Sequence, residues 1–357
     1  MSGTVVHVAS GREWRGGQRQ VWQLARELQR RGEVAQAVVT GLGSELAARL
    51  RADAVPVVPA VWRAGLDPRA LAAVVRAARR GAALLHAHDA HAVTLAGIAS
   101  LLTRVPLVAT RRVDFPLRRR GLWAHAVRII AISEAVATVL TNDGVPPERV
   151  VVVHSGIDLE AVRATAPFGA RARLGLPEDS LLAITVGALV PHKDHATLLH
   201  AARRLADRFP ALHWVVAGDG ELLPLLEWLR DQLGLNGRVH FLGQIPDPEG
   251  LIAEADVFVM SSREEGLGTS VLDAMALGIP VASTAAGGLG EMLGGGAGLL
   301  VPAANPEALA NAVARILGDP SLRSALAENA ASKVRHFTAE RMAGEVLTVY
   351  RSCAPQL

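Results

Sequence analysis

Residues 164–180 read "ATAPFGARARLGLPEDS", with two prolines, two glycines and no run apolar enough for a strand. Proline fixes φ and withholds an N–H, while glycine loosens the backbone, so such a stretch interrupts regular structure. It predicts an interdomain linker, and the chain shows the same alternation on both sides of it. Upstream, apolar runs lie at "TVVHVAS" (4–10), "VAQAVVT" (34–40), "AVPVVPA" (54–60), "ALLHAH" (83–88), "PLVATRR" (106–112), "RIIAIS" (128–133) and "VVVVHSG" (150–156). Helical patterns separate most of them. In "GGQRQVWQLARELQRRG" (16–32), apolar residues recur at Val21, Leu24, Ala25 and Leu28, and Gly32 is the stop. Downstream the alternation restarts with "LLAITVGAL" (181–189), "HWVVAGDG" (213–220), "VHFLG" (239–243), "VFVMSS" (257–262), "PVAST" (280–284) and "AGLLVP" (297–302). Strands that are apolar throughout and alternate with helices belong to parallel sheets covered on both faces. The expected class is α/β, with two doubly wound, Rossmann-like domains over 1–165 and 178–337. A final helix over 338–357 can pack back on the first domain. Ligands of open parallel sheets bind at the strand C-terminal ends, so the loops there should carry the chemistry.

Composition fits two ordered domains: 357 residues, half of them apolar and a fifth charged. The opening "MSGTVVHVAS" has no basic segment followed by an apolar one, which argues against a secretory signal. No uncharged apolar run approaches the roughly 18–20 residues that span a bilayer. The single cysteine, Cys353, forms no intrachain disulfide and fits a reducing compartment. The expected location is the cytoplasm, or peripheral attachment to the inner face of the membrane. Charge is uneven. Residues 1–165 carry 22 Arg and no Lys against 13 acids, whereas residues 166–357 carry 15 basic residues against 21 acids. A basic first half suggests an anionic partner there.

Several strand-end loops are candidates for chemistry. In "SGREWRGGQRQ" (10–20), Gly16 and Gly17 precede a helix whose N-terminal amides favour anions, but the spacing is not the GxGxxG of dinucleotide folds. "LLHAHDAHA" (84–92) offers His86, His88 and His91; a ligand-contacting His88 is favoured over a metal site, which no acid or cysteine completes. "TRRVDFPLRRRGLWAHAVR" (110–128) sets Arg111, Arg112, Arg118 and Arg119 among apolar residues. With Arg15, they are candidates for facing an anionic acceptor or membrane. Nucleic acid is not expected, since aromatics make up only 4% and no binding module is present. In "VGALVPHKDH" (186–195), Lys193 is one of two lysines in the chain, a compact ammonium suited to an oxyanion. "VVAGDGE" (215–221) adds a glycine turn with Gly218. "SSREEGLGTSVLDAMALG" (261–278) places Glu264 and Glu265 at a strand end. There Ser270 is a candidate N-cap with Asp273 at the capping-box position.

Taken in order, "RGGQ", "LLHAH", "HSGID", "VGALVPHKD", "AGDGE", "EEGLGTSVLDAMALGIPVAST" and "GGLGEML" resemble the motifs of the retaining family-4 glycosyltransferases, which have the GT-B fold. The resemblance implies two Rossmann-like domains facing each other across a cleft, an acceptor domain first and a nucleotide-sugar donor domain second. It implies transfer of a sugar from a nucleotide diphosphate to an acceptor hydroxyl with retention, in cell-envelope glycan or glycolipid synthesis. Glu265 would meet the donor sugar hydroxyls, Lys193 the diphosphate and His88 the sugar near the reacting centre. Asp273 would reach the ribose, and Gly16, Gly17, Gly218, Gly266, Leu267, Gly268, Thr269 and Ser270 would line the donor. No cofactor or metal is implied, a UDP-sugar is slightly favoured over a GDP-sugar, and the acceptor would be anionic or lipid-linked. Two positions depart from the pattern. Ala188 stands where the family often has an arginine, which Arg263, Arg15 or Arg111 would have to replace, and Asp273 is shorter than the usual glutamate. These departures leave open a nucleotide-sugar binder with weak or lost catalysis. A GT-B nucleotide-sugar epimerase is the other alternative.

Overall fold

The computed structural model describes residues 3–63, 66–117 and 121–357. The chain folds as two compact units, Met1–Asp158 with Phe337–Leu357, and Leu159–His336. Arg118 and Arg119 lie outside the described residues.

The first unit is built on seven strands: β1 (Thr4–Ala9), β2 (Ala35–Gly41), β3 (Val57–Ala60), β4 (Ala82–Ala87), β5 (Leu107–Arg111), β6 (Arg128–Ala131) and β7 (Val150–Val152). Their order is β3-β2-β1-β4-β5-β6-β7, parallel throughout. The sheet is wound outward in both directions from the β1/β4 boundary. Val5, Val6 and Val8 are buried on either face of β1, as a strand covered by helices on both sides requires. The helix Gly16–Arg31 supplies Leu24 and Leu28 to one face. The C-terminal helix Ala339–Cys353 adds Met342, Val346 and Tyr350 to the same cluster. That helix is anchored at its start: Ile157 N–H donates to Phe337 O and Ala339 N–H donates to Ile157 O, each at 2.9 Å. Gln20 holds both polar groups of Gly156, donating to its carbonyl at 2.8 Å and accepting from its N–H at 3.1 Å.

The second unit has six strands: β8 (Leu181–Val186), β9 (Leu212–Ala217), β10 (Val239–Phe241), β11 (Val257–Met260), β12 (Val281–Thr284) and β13 (Leu299–Val301). They are parallel in the order β10-β9-β8-β11-β12-β13, so the winding reverses between β8 and β11. One face packs Leu198, Leu199, Trp214, Leu309 and Val313, and the other packs Leu182, Ile184, Val215 and Leu251. Residues 164–180 sit within this unit. Phe168, Leu174 and Leu176 pack on the second face, Glu254 accepts from the Gly169 and Ala170 amides, and Arg171 pairs with Asp256 at 3.2 Å.

Every run read as a strand overlaps a strand of the structure. Several stop short of the sequence pattern at their C-terminal ends, where the chain leaves the sheet. Those ends carry most of the candidate residues.

Candidate functional site

In an open parallel sheet, the two strands that flank the reversal of winding diverge above the sheet and leave a crevice. Each unit places its distinctive residues there. In the second unit, Lys193 closes the short turn Pro191–Lys193 after β8, and Glu265 follows β11. Lys193 Nζ and Glu265 Oε2 form an ion pair, with the side chains 16% and 11% exposed. Ser262 Oγ donates to the same carboxylate oxygen at 3.3 Å, and Ser261 Oγ donates to Lys193 O at 3.0 Å, tying the two loops together. Glu264, the neighbouring acid, is exposed.

Arg263 is held elsewhere. Its Nε donates to Asp194 at 2.7 Å, and Asp194, 5% exposed, caps the helix His195–Leu205. This capping network was not anticipated from the sequence, where Asp194 is simply the residue after a lysine.

The helix Thr269–Ala276 begins beside Glu265. Its cap position is Gly268, in the left-handed region at φ 88°, with no side-chain cap and no acid in the first turn. The expected cap, Ser270, instead lies inside the helix and donates Oγ to Val186 O at 3.1 Å. The positive φ available to glycine turns the chain into the helix two residues earlier than a serine cap would. Asp273 is fully buried on this helix. Leu267 is buried as well, and Gly266 O lies where a Cβ on Gly288 would fall, so the "GGLG" segment packs directly under the loop. The N-terminal end of this helix and its axial dipole favour an anion at its start. Gly218 lies one strand over, at φ 150°, and a Cβ there would come within 1.9 Å of Gly187 O. Close passage of these two backbones is what shapes the loop that carries Lys193.

In the first unit the corresponding position is occupied by histidines. His7 on β1 is the register partner of His86 on β4, and His88 follows two residues later. All three are buried. His86 Nδ1 meets Tyr350 Oη at 2.5 Å and its Nε2 meets Thr110 Oγ1 at 2.7 Å. His7 Nδ1 and His88 Nε2 are 3.0 Å apart. Their ring nitrogens approach within 4.8 Å as a group, which is a spacing a metal ion could use. Yet both nitrogens of His86 are engaged by hydroxyls and His7 is bonded to His88, so the arrangement fits a hydrogen-bond network better than a ligand set. Burial lowers the His7 pKa to about 4 and holds His86 and His88 well below 6.5, the neighbouring imidazoles and Arg112 adding to the effect on the latter two. The three are neutral at pH 7. His91 is not part of the cluster; it is exposed.

Around the histidines the loops after β1, β4 and β5 converge. Asp89 caps the helix Ala90–Thr103 and accepts from Ser10 N–H at 2.7 Å. Gly16 and Gly17 open their helix after an extended Arg15 that provides no cap. A Cβ on Gly17 would stand 3.8 Å from Arg112 Cδ. The Arg112 guanidinium is more enclosed than the residue as a whole, and burial draws its pKa down to about 10 against the pull of Asp89. Arg111 is buried, donates to Phe115 O at 2.6 Å and faces the Phe115 and Trp123 rings. Arg15 is exposed and pairs with Glu13 at 2.5 Å. A hollow of about 360 Å³ opens in front of the β1 loop, lined by Arg12, Arg15, Trp62, Arg63 and His91 among others.

His7, Gln36, Thr110 and Tyr350 were not singled out by sequence reasoning. A histidine inside the valine run "TVVHVA", and the chain's one tyrosine at a helix position facing the core, were the available signals.

The model described as Glycosyltransferase Family 4 matches residues 14–161, and the model described as Glycosyl transferases group 1 matches residues 169–333. A D-inositol 3-phosphate glycosyltransferase of Streptomyces bingchenggensis is 35% identical over 241 residues, 63% of this chain and 52% of that protein. The lipopolysaccharide core biosynthesis glycosyltransferase LpsE of Rhizobium meliloti is 40% identical over 159 residues, 44% of this chain and 46% of that protein. The chain thus spans about half the length of the curated relatives it matches. Among solved structures, Anabaena HepE in complex with UDP-glucose superposes with a TM-score of 0.88 at 23% identity, over 98% of this chain and all of that one. This likeness shows the fold, which is GT-B. With the two models together matching most of the chain and the motifs in the family's order, the chain belongs to the family-4, group-1 glycosyltransferases.

Proposed function

We propose that this protein transfers a sugar from a nucleotide-diphosphate sugar to an acceptor hydroxyl with retention of anomeric configuration. The observation that carries this reading is the Lys193–Glu265 pair beside the glycine-capped N-terminus of the Thr269–Ala276 helix. Cleaving the sugar–phosphate bond puts negative charge on the departing diphosphate, and a site preorganised with positive potential lowers that barrier most. Lys193 and the helix amides supply such potential and take the place of a metal ion. Glu265, once Lys193 turns to the diphosphate, is free to accept from the sugar hydroxyls. Asp273 serves the ribose, and His88 contacts the sugar. Gly218 and the Gly266–Gly268 turn keep the backbone close to the donor. The name of the HepE complex supports UDP-glucose or a similar UDP-sugar as the first donor to try.

The acceptor on this reading is anionic. Arginines around the 360 Å³ hollow, with Trp62 beside them, suit a phosphorylated sugar-sized group. The names of the two curated relatives, one acting on an inositol phosphate and one in lipopolysaccharide core synthesis, support a phosphorylated or lipid-linked acceptor in the cell envelope. Among the described residues no helix is long and apolar enough to cross a membrane. Contact with an anionic membrane face through the basic first unit is part of the proposal.

A thermal-shift screen of nucleotides and sugar nucleotides tests the donor half. A selective donor at about 100 times its Kd stabilises by about 2.7 kcal/mol, a rise in Tm of roughly 5–10 °C. A flat response to every nucleotide would remove the reading. For the acceptor half, Arg63→Ala should raise the KM of an anionic acceptor while leaving donor KM in place; an unchanged acceptor KM counts against the hollow.

A further inference from the structure

The lysine loop of the second unit is tied to the neighbouring strand-end loop at three successive residues. His192 O accepts from Arg263 N–H at 2.8 Å, Lys193 O accepts from Ser261 Oγ at 3.0 Å, and Asp194 Oδ2 accepts from Arg263 Nε at 2.7 Å. Lys193 thus stands in the middle of a seam between the turn after β8 and the turn after β11. The third tie is the demanding one. Asp194 lies at φ 46° and ψ 49°, the left-handed region, where an L side chain crowds its own backbone and glycine would be free of strain. Aspartate tolerates that region better than most residues, and its carboxylate is fully used here. Oδ1 accepts from Thr197 N–H at 3.3 Å, capping the helix His195–Leu205, and Oδ2 accepts from Thr197 Oγ1 at 2.7 Å as well as from Arg263. Glycine would make the turn and asparagine the cap, but only an acid also forms an ion pair with the guanidinium. The Arg263 side chain is 58% exposed, and a pair with one partner so open to water adds little to overall stability. What it adds is order in the one turn from which the lysine stem rises.

We infer that Asp194 and Arg263 are positioning residues that fix the backbone of Lys193, so that only its side chain must be ordered when the ammonium leaves Glu265 for the diphosphate. This rests on the reading that Lys193 meets the diphosphate, and it deepens that reading by naming what holds the lysine there. A point charge on a flexible four-carbon stem acts on the leaving group only from a well-placed base. Releasing the turn lets the ammonium stray from where charge develops, a loss felt in the transition state more than in donor binding. Arg263 on this account acts through Asp194 and does not replace the arginine absent at Ala188.

The test uses the full chain with UDP-glucose as the probe and UDP release as the signal. Arg263→Met should lower kcat about tenfold with donor KM within about twofold, and Arg263→Lys, whose ammonium can reach Asp194, should recover most of the loss. In a Lys193→Ala protein the R263M change should cost less than about twofold more, because the group through which it acts is gone. A donor KM raised several-fold by R263M at unchanged kcat would put Arg263 on the diphosphate itself, and an undiminished loss in the Lys193→Ala background would separate it from Lys193. Either result, or wild-type kinetics in R263M, overturns the positioning role. Geometry is read separately, without donor. Lys193 and Lys333 are the chain's two lysines, so carbon-13 labelling of lysine gives an NMR spectrum of two residues, assigned with Lys193→Ala. R263M should shift the Lys193 side-chain signals and leave those of Lys333 in place; unmoved Lys193 signals show that the tie does not hold the lysine. A wild type that turns over no nucleotide sugar overturns the proposed function instead, and the two failures are distinguishable because the lysine spectrum is read with no donor present.

Discussion

Lys193 and Glu265 neutralise each other in the donor-free protein, at side-chain exposures of 16% and 11%. A salt bridge so enclosed is costly to leave half-made, so ligand must replace one partner as it displaces the other. On the proposed reading, in which the Lys193 charge acts on the leaving group, Lys193→Ala should lower turnover of UDP-glucose by about 10²–10³-fold in kcat. Activity within threefold of wild type would exclude the role given to Lys193. The three histidines of "HAHDAH" show how much of this is legible from residue types alone. Spacing nominates all three, but only tertiary structure sorts them: His91 to the surface, His86 to Tyr350 and Thr110, His88 to His7. The His7–His88 contact joins positions 81 residues apart, and which strand neighbours β1 is decided by sheet order, not by local sequence. Tyr350→Phe should cost about 1–3 kcal/mol, by leaving His86 Nδ1 buried without a partner. A urea midpoint equal to wild type would show that the hydroxyl is dispensable.

At the level of elements, periodicity carried the strand and helix pattern because strands buried on both faces are apolar at nearly every position. Its errors gather at strand ends and at one cap. β7 ends at Val152 although the apolar run continues to Val153, because pairing with β6 stops where the chain turns away. Ser270 has the composition of a cap and not the position, since Gly268 makes the turn first. Ser270→Ala should therefore behave as the loss of one tie to β8, about 1 kcal/mol, without fraying the helix. Gly218 is more demanding. A Cβ there would enter the Gly187 carbonyl at 1.9 Å, so Gly218→Ala must move the Lys193 loop or unfold it. A loss of about 2–4 kcal/mol is expected, together with weaker donor binding. A Gly218→Ala protein with wild-type urea midpoint and donor KM would contradict this packing.

On the scale of the molecule, the buried histidines set a pH limit. Burial lowers His7 and His195 to about 4, and His86 and His88 also lie well below 6.5, while the same groups in the unfolded chain titrate near 6.5. Below pH 6.5 the unfolded state therefore binds more protons than the folded state, and stability falls as pH falls. For His7 and His195 the loss is on the order of 3 kcal/mol each by pH 4, where the folded protein begins to take up the same protons. The urea midpoint should be level above pH 7 and drop steeply between pH 6.5 and 4; a level curve through that window would rule out neutral buried imidazoles. The strap at Ile157 and Phe337 has a consequence for how the protein is made. Everything between those residues, the whole of Leu159–His336, is translated before the helix that carries Tyr350. At about 5–20 residues per second, the first unit waits on the order of ten seconds or more for the segment that completes its core. The second unit, whose residues are consecutive, is complete at His336, before the segment that closes the first unit has been made, so the usual order of folding from the N-terminus is reversed. A purified chain ending at His336 should accordingly show a protease-resistant second unit and a sensitive first one.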